Sequence, residues 1–145
     1  MSSITEIMTA DHRHCDDAFA QAEEQIAAGE WGKGTALHQA FVTSTEQHFR
    51  KEEEVLFPKF EQATGSAMGP TQVMKAEHAQ MRQLFKDMQS AVDDQDKDRY
   101  LGLSETLMIV MQQHNMKEEQ ILYRMADQAF GDIADEILHS MDGIN

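Results

Sequence analysis

Most of what would commit this chain to an extracellular, membrane or nucleic-acid setting is missing from it. There is one cysteine, Cys15, so no internal disulfide can form. A reducing compartment such as the cytoplasm is the expected location. The opening "MSSITEIMTADH" has neither the basic start nor the apolar core of a secretory signal. No later segment approaches the ~20 apolar residues of a membrane span. Positive charge is scarce, with 12 Lys and Arg against 26 Asp and Glu, for a formal net charge of -14 and a pI near 4.7. Such a field repels nucleic acid and anionic lipid, so neither is an expected partner. Only 2 prolines and 8 glycines interrupt the chain, and no segment alternates with the two-residue rhythm of a half-buried strand.

What is abundant is Ala, Glu, Gln, Met, Leu and Lys, the residues that lose least on entering a helix. At 145 residues the chain fits one domain with a real core. Apolar residues recur at helical spacing in four long segments. The first, about 3–28, carries Ile4, Ile7, Met8, Cys15, Phe19, Ala22 and Ile26 and stops at Gly29. The second, about 34–62, carries Leu37, Phe41, Val55, Leu56 and Phe60 and ends in "TGSAMGP". Pro70 suits the first turn of the third, about 70–92, with Val73, Met74, Met81, Leu84, Phe85, Met88 and Val92. After "DDQDKD" the fourth, about 97–128, carries Leu101, Leu103, Leu107, Val110, Met111, Ile121, Leu122 and Met125. Breaks this short favour antiparallel neighbours. The expected fold is an all-α, up-down-up-down four-helix bundle, with "DIADEILHSM" as a short C-terminal helix.

The chain also resembles itself. "MTADHRHCDDAF" (8–19) matches "MKAEHAQMRQLF" (74–85), and "HFRKEEEVLF" (48–57) matches "HNMKEEQILY" (114–123). Both pairs are offset by 66 residues, which relates 4–62 to 70–128 as two copies of one helical hairpin. Each copy contributes a His from its first helix and a His-x-x-x-Glu from its second: His12, His48 and Glu52, then His78, His114 and Glu118. A spacing of four puts His and Glu one turn apart on the same helix face. The midpoints between successive histidines fall at positions 30, 63 and 96, inside the three breaks. In an antiparallel bundle, that arithmetic brings His12, His48, His78 and His114 to one level of the core.

Buried carboxylates and imidazoles need partners, and a cation provides one for all of them. Four imidazoles and two carboxylates suit a pair of first-row metals, each taking two His, with Glu52 and Glu118 bridging. With one cysteine, a thiolate zinc site is not expected. Ferritin-like bundles use Glu-x-x-His, whereas this chain has His-x-x-x-Glu.

Taken together, "DH", "HFRKEEEVLFP", "EH" and "HNMKEEQILY" resemble the hemerythrin-like HHE cation-binding domain over nearly the whole chain. The resemblance implies a non-haem di-iron centre on the six matching residues, with the glutamates bridging and an oxo or hydroxo group between the irons; Mn or Zn are possible substitutes. It implies a small diatomic ligand, O2 or NO, or the sensing of iron. Oxygen carriers of the family have a fifth histidine and a His-x-x-x-x-Asp on the last helix, where this chain has His114 and Glu118. That departure points toward four-His relatives, among them the proteins that repair iron centres, which usually carry a separate cysteine-bearing N-terminal segment not found here. Reduction of NO or peroxide, and a purely structural metal staple, are the other readings, and no nucleophile or acid-base pair beyond the six residues suggests a hydrolase or transferase.

The remaining residues carry blander expectations. His14, His38 and His139 are read as surface or satisfied structural residues. Glu53, Glu54 and Glu119 are expected on the solvated side of the helix or directly behind the ligand residues, with Lys51 and Lys117 as possible neighbours. Asp11 and Glu77 either hold a histidine ring N–H or face water. Cys15 is expected to be buried filler rather than a redox group. Tyr123, which stands where the first copy has Phe57, is expected to pack in the core, its hydroxyl turned toward the site being the alternative. Met8, Met74, Met81, Met88, Met111 and Met125 read as adaptable core. Pro58 is expected to remove a backbone bond to Glu54 and bend the second helix near its end.

Overall fold

The computed structural model describes residues 2–66 and 69–144; Ala67 and Met68, in the middle of the second break, lie outside the described residues. The helices are α1 (Ile4–Ala27), α2 (Trp31–Lys51), α3 (Phe57–Thr64), α4 (Pro70–Asp93), α5 (Lys97–Lys117), α6 (Tyr123–Phe130) and α7 (Ala134–Asp142). A π-turn, Glu52–Leu56, joins α2 to α3 into one rod, and a second, Glu118–Leu122, joins α5 to α6. Four rods therefore pack as the expected bundle, and α7 is the short C-terminal helix.

Local chemistry sets the ends of these rods. Ser3 caps α1 by accepting from the Glu6 N–H at 3.0 Å, and the Asp127 carboxylate of α6 accepts from the N–H groups of Ile4 and Thr5 at 2.8 and 3.1 Å. An anion there suits the positive end of the helix and ties α1 to α6. At the other end, the Gly29 N–H bonds to the Ile26 carbonyl and that of Glu30 to Gln25, the paired bonds of a helix stopped by a left-handed residue. Gly29 takes that conformation freely at φ 78°. The same paired bonds end α4, from Gln95 to Val92 and from Asp96 to Ala91, but the left-handed residue, 66 positions on, is Gln95 at φ 50°. A residue with a Cβ is strained there by about 1 kcal/mol. Gln95→Gly is expected to stabilise the chain by roughly that amount and raise Tm by roughly 2–4 °C in a thermal melt. An unchanged or lower Tm would contradict the strain.

The core divides into two apolar layers. One joins Phe19, Ile26, Phe41, Phe49, Met81, Phe85, Met88, Tyr100 and Leu107 toward the α1–α2 turn. Gly34 lets α2 approach α1 there, since a Cβ at this position would fall 2.5 Å from Ile26. The other joins Ile4, Met8, Leu56, Phe57, Phe60, Met74, Leu122 and Tyr123, and is closed by Ile137 and Met141 of α7. The polar histidines and glutamates lie between these layers.

Several stripe residues face outward instead. Ile7, Val73, Ile121 and Met125 are each at least 41% exposed, so Met125 leaves the core set while Met8, Met74, Met81, Met88 and Met111 remain in it. The Pro58 expectation also changes. The irregularity in this rod is the π-turn, in which the Phe57 N–H bonds to the Glu52 carbonyl, and an equivalent bond joins Tyr123 to Glu118 where the second copy has Arg124 in place of Pro58. A proline is not what makes it.

Candidate metal centre

Each of the six sequence-predicted residues is at least 96% buried. α1 brings His12, α2 brings His48, α4 brings His78 and α5 brings His114, while Glu52 and Glu118 open the two π-turns. The His12 and His48 rings lie 4.6 Å apart, and those of His78 and His114 lie 5.0 Å apart. The expected single level is thus reached.

Every one of these rings is oriented the same way. The Nδ1 side meets an outer carboxylate and the Nε2 side faces the centre. His12 pairs with Glu119 at 2.7 Å, His48 with Asp11 at 2.6 Å, His78 with Glu53 at 2.7 Å and His114 with Glu77 at 2.8 Å. Pairs related by 66 positions match: His12–Glu119 with His78–Glu53, and His48–Asp11 with His114–Glu77. A carboxylate on Nδ1 fixes the tautomer that presents the Nε2 lone pair inward. Glu53 and Glu119 thus stand behind the histidines rather than only in solvent, and Asp11 and Glu77 take the ring-holding alternative. Glu54 is exposed and pairs with Arg50 at 2.8 Å.

A further support was not foreseen. Arg82 grips Glu53 with both terminal nitrogens, at 2.9 and 3.1 Å, and reaches Glu46 through Nε at 2.9 Å. Burial would raise the Glu53 carboxyl, but His78 and Arg82 outweigh it and hold the pKa down at about 2. Removing Glu53 as Glu53→Ala is expected to weaken metal binding roughly 10–100-fold. Titration with a chelator of known affinity measures this, and wild-type affinity in the variant would show that His78 needs no such holder.

Inside the ring, several donors lack hydrogen bonds. Glu52 Oε1, Glu118 Oε2 and the Nε2 atoms of His78 and His114 are buried without a hydrogen-bond partner among the described residues. His78 Nε2 lies 3.1 Å from Glu52 Oε1, and His114 Nε2 lies 3.1 Å from Glu118 Oε1, yet neither contact has the angles of a hydrogen bond. Polar atoms left unpaired at full burial are costly, and a cation in place of their protons meets all of them at once. Among the described residues two donor groups converge, each within 4.8 Å: Glu52, His78, His114 and Glu118, and His12, His48 and Glu118. Glu118 belongs to both. Imidazole and carboxylate donors without thiolate fit a first-row divalent or trivalent ion.

The charges are arranged to be replaced by such an ion. Burial disfavours charge on His12 and His114, but the Glu118 carboxylate beside both outweighs it and lifts each pKa to about 9. Burial and the neighbouring Glu118 push the Glu52 carboxyl up, whereas contacts with Glu52, His114 and His12 keep that of Glu118 below the ordinary range. Without metal, protons stand in for it and must leave as it binds.

Tyr123 differs from the expectation of core packing. Its ring is fully buried, but the hydroxyl enters the site, donating to Glu52 Oε2 at 2.8 Å or Glu118 Oε1 at 3.0 Å and lying 3.1 and 3.3 Å from the Nε2 atoms of His12 and His48. Burial and the two carboxylates push the phenol pKa well above its ordinary value. The only signal available in sequence was the Phe-to-Tyr change between copies.

Outside the cluster, the expectations hold for His14, His139 and Cys15 and in part for His38. His14 and His139 are exposed. His38 is buried and its Nδ1 meets the Tyr100 hydroxyl at 2.9 Å, but its Nε2 has no hydrogen-bond partner among the described residues, so the ring is only half satisfied. Cys15 is buried, which pushes its thiol up to about 12 and leaves it unreactive near neutral pH.

A helical bundle whose interior gathers a histidine from each rod and a carboxylate from two of them defines a metal-binding bundle protein. The chain belongs to the Hemerythrin HHE cation binding domain family, whose model matches residues 3–126. It is also similar to the iron-sulfur cluster repair protein YtfE of Enterobacter sp. (strain 638), 31% identical over 102 residues, a match covering 63% of this chain and 44% of that protein. The chain thus spans less than half the length of the curated relative it matches. No solved structure gives a significant match, and among the described residues no helix is long and apolar enough to cross a membrane.

Proposed function

We propose that this chain is a non-haem di-iron protein in which His12, His48, Glu52, His78, His114 and Glu118 hold two irons, and that it binds O2 or NO or responds to iron itself. The observation that carries this reading is the pair of buried donor groups sharing Glu118, with Glu52 Oε1, Glu118 Oε2 and the Nε2 atoms of His78 and His114 unpaired among the described residues. Iron held there would supply a redox-active ion whose chemistry includes binding a small diatomic. The residues do the rest: four outer carboxylates hold the rings, and two apolar layers keep bulk water out. A reducing cytoplasm, where the lone Cys15 stays a thiol, is the proposed location.

A second reading, service to iron-sulfur centres, is favoured by the printed function of the Enterobacter relative. Metal analysis followed by an anaerobic-to-aerobic optical titration separates the two. About two irons per chain with reversible spectral change under O2 or NO supports gas binding or sensing. Two irons lost on oxidation support an iron-handling role. Metal that responds to no ligand and is not released leaves a structural staple, and absence of stoichiometric metal overturns the whole reading.

A further inference from the structure

The two donor groups are not equivalent. Glu52, His78, His114 and Glu118 number four, whereas His12, His48 and Glu118 number three. The copies of the repeat differ at the matching positions 57 and 123. Phe57 and Tyr123 are both fully buried, with the Phe57 ring 5.9 Å from that of His78 and the Tyr123 ring 5.6 Å from that of His12. The added oxygen therefore sits on the side that is one donor short.

Its surroundings are those of a donor atom. The hydroxyl oxygen lies 3.0 Å from Glu118 Oε1, 3.1 Å from His12 Nε2 and 3.3 Å from His48 Nε2, so it touches every member of the three-donor group, and it also lies 2.8 Å from Glu52 Oε2 of the other group. A phenol has one proton to give, so it cannot donate to all of the acceptors around it. Packing alone would be served by Phe, as the first copy shows at position 57.

We propose that Tyr123 supplies the fourth donor to the cation held by His12, His48 and Glu118, so that the two metal positions differ in chemistry. The inference rests on the di-iron reading above. On binding, the phenolic O–H bond breaks, an oxygen–metal bond forms and the proton leaves to solvent; no electron moves. One position then has two imidazoles and two carboxylates, with Glu52, read from the sequence as a bridge, serving that position alone and Glu118 shared. The other has two imidazoles, a carboxylate and a phenolate, whose extra negative charge favours the higher oxidation state.

The test compares ferric iron-loaded wild type with Tyr123→Phe by visible absorption, resonance Raman and metal analysis. Wild type is expected to hold two irons and show a visible phenolate-to-iron charge-transfer band with enhanced tyrosine ring modes. The variant, which restores the residue of the first copy, is expected to lose the band and at least about tenfold in affinity for one of the two irons. The reduction potential of that iron should also rise. Two irons in wild type without the band, or the band persisting in the variant, overturns the assignment and leaves the di-iron reading standing. No iron in wild type overturns both. Should the variant fail to fold, the ring modes of wild type decide alone.

Discussion

Glu118→Ala is expected to empty both metal positions at once, because Glu118 is the residue common to the two donor groups. A ligand that binds only the folded state stabilises it by mass action, about 4 kcal/mol per site at roughly a thousandfold excess over Kd. Two sites together are worth about 8 kcal/mol, which for a chain of this size is a Tm shift on the order of 20 °C. Wild type should show that difference between iron-loaded and chelated samples, and Glu118→Ala should show almost none of it. Glu118→Gln, which keeps the shape but not the charge, should behave like alanine toward metal. His14→Ala, at an exposed position, should retain the full shift. Two metals retained by Glu118→Ala would place the centre elsewhere.

How much of this could be read beforehand depends on what each element rests on. The four rods follow from helical periodicity and polar breaks, and the convergence of His12, His48, His78 and His114 follows from the positions of those breaks, because an antiparallel pair fixes height by counting residues. Both are one-dimensional properties. The outer carboxylates were half legible: Asp11 and Glu77 recur in register, as do Glu53 and Glu119, but whether a surface-facing acid turns back to a ring depends on helix rotation. Arg82 left no such trace. Its counterpart in the first copy, Asp16, is an acid, so comparing the two copies gives no hint of a guanidinium behind Glu53.

The π-turns had a signal that simple periodicity passes over. Gly34 and Phe60 are both buried and stand 26 positions apart. At about 100° per residue an unbroken α-helix would leave them roughly 80° out of phase; absorbing one extra residue brings them within roughly 20°. The trace is a run of four-residue steps, His48 to Glu52 to Leu56 to Phe60, repeated as His114 to Glu118 to Leu122 to Ala126. In both rods the first glutamate of the turn is a candidate ligand. The wider turn thus lets each rod keep one buried face on both sides of the site. It also sets where Phe57 and Tyr123 point, which is why the entry of the Tyr123 hydroxyl into the site was not readable from helical spacing.

Phe49→Ala is expected to cost both stability and metal affinity, and the combination separates a packing residue from a residue that packs against the site. Phe49 is buried, with its ring stacked 3.9 Å from His78 at 15° and 6.2 Å from Phe85, and with the Arg82 guanidinium 5.2 Å from its centroid. Truncation of such a ring removes about 3–5 kcal/mol, on the order of 10 °C in Tm. The same change at Phe41, also buried and packed on Phe19 and Phe85 at 5.2 and 5.6 Å, should cost a similar amount. Only at Phe49 does the cavity open beside a ring that must present Nε2 to the centre. His78 would keep Glu53 on Nδ1 but lose the plate that fixes its rotation. Chelator competition should therefore show weakened metal binding in Phe49→Ala and near wild-type binding in Phe41→Ala, measured at a temperature where both are folded. Equal affinities in the two variants would mean that Glu53 and Arg82 hold His78 without help from the stacked ring.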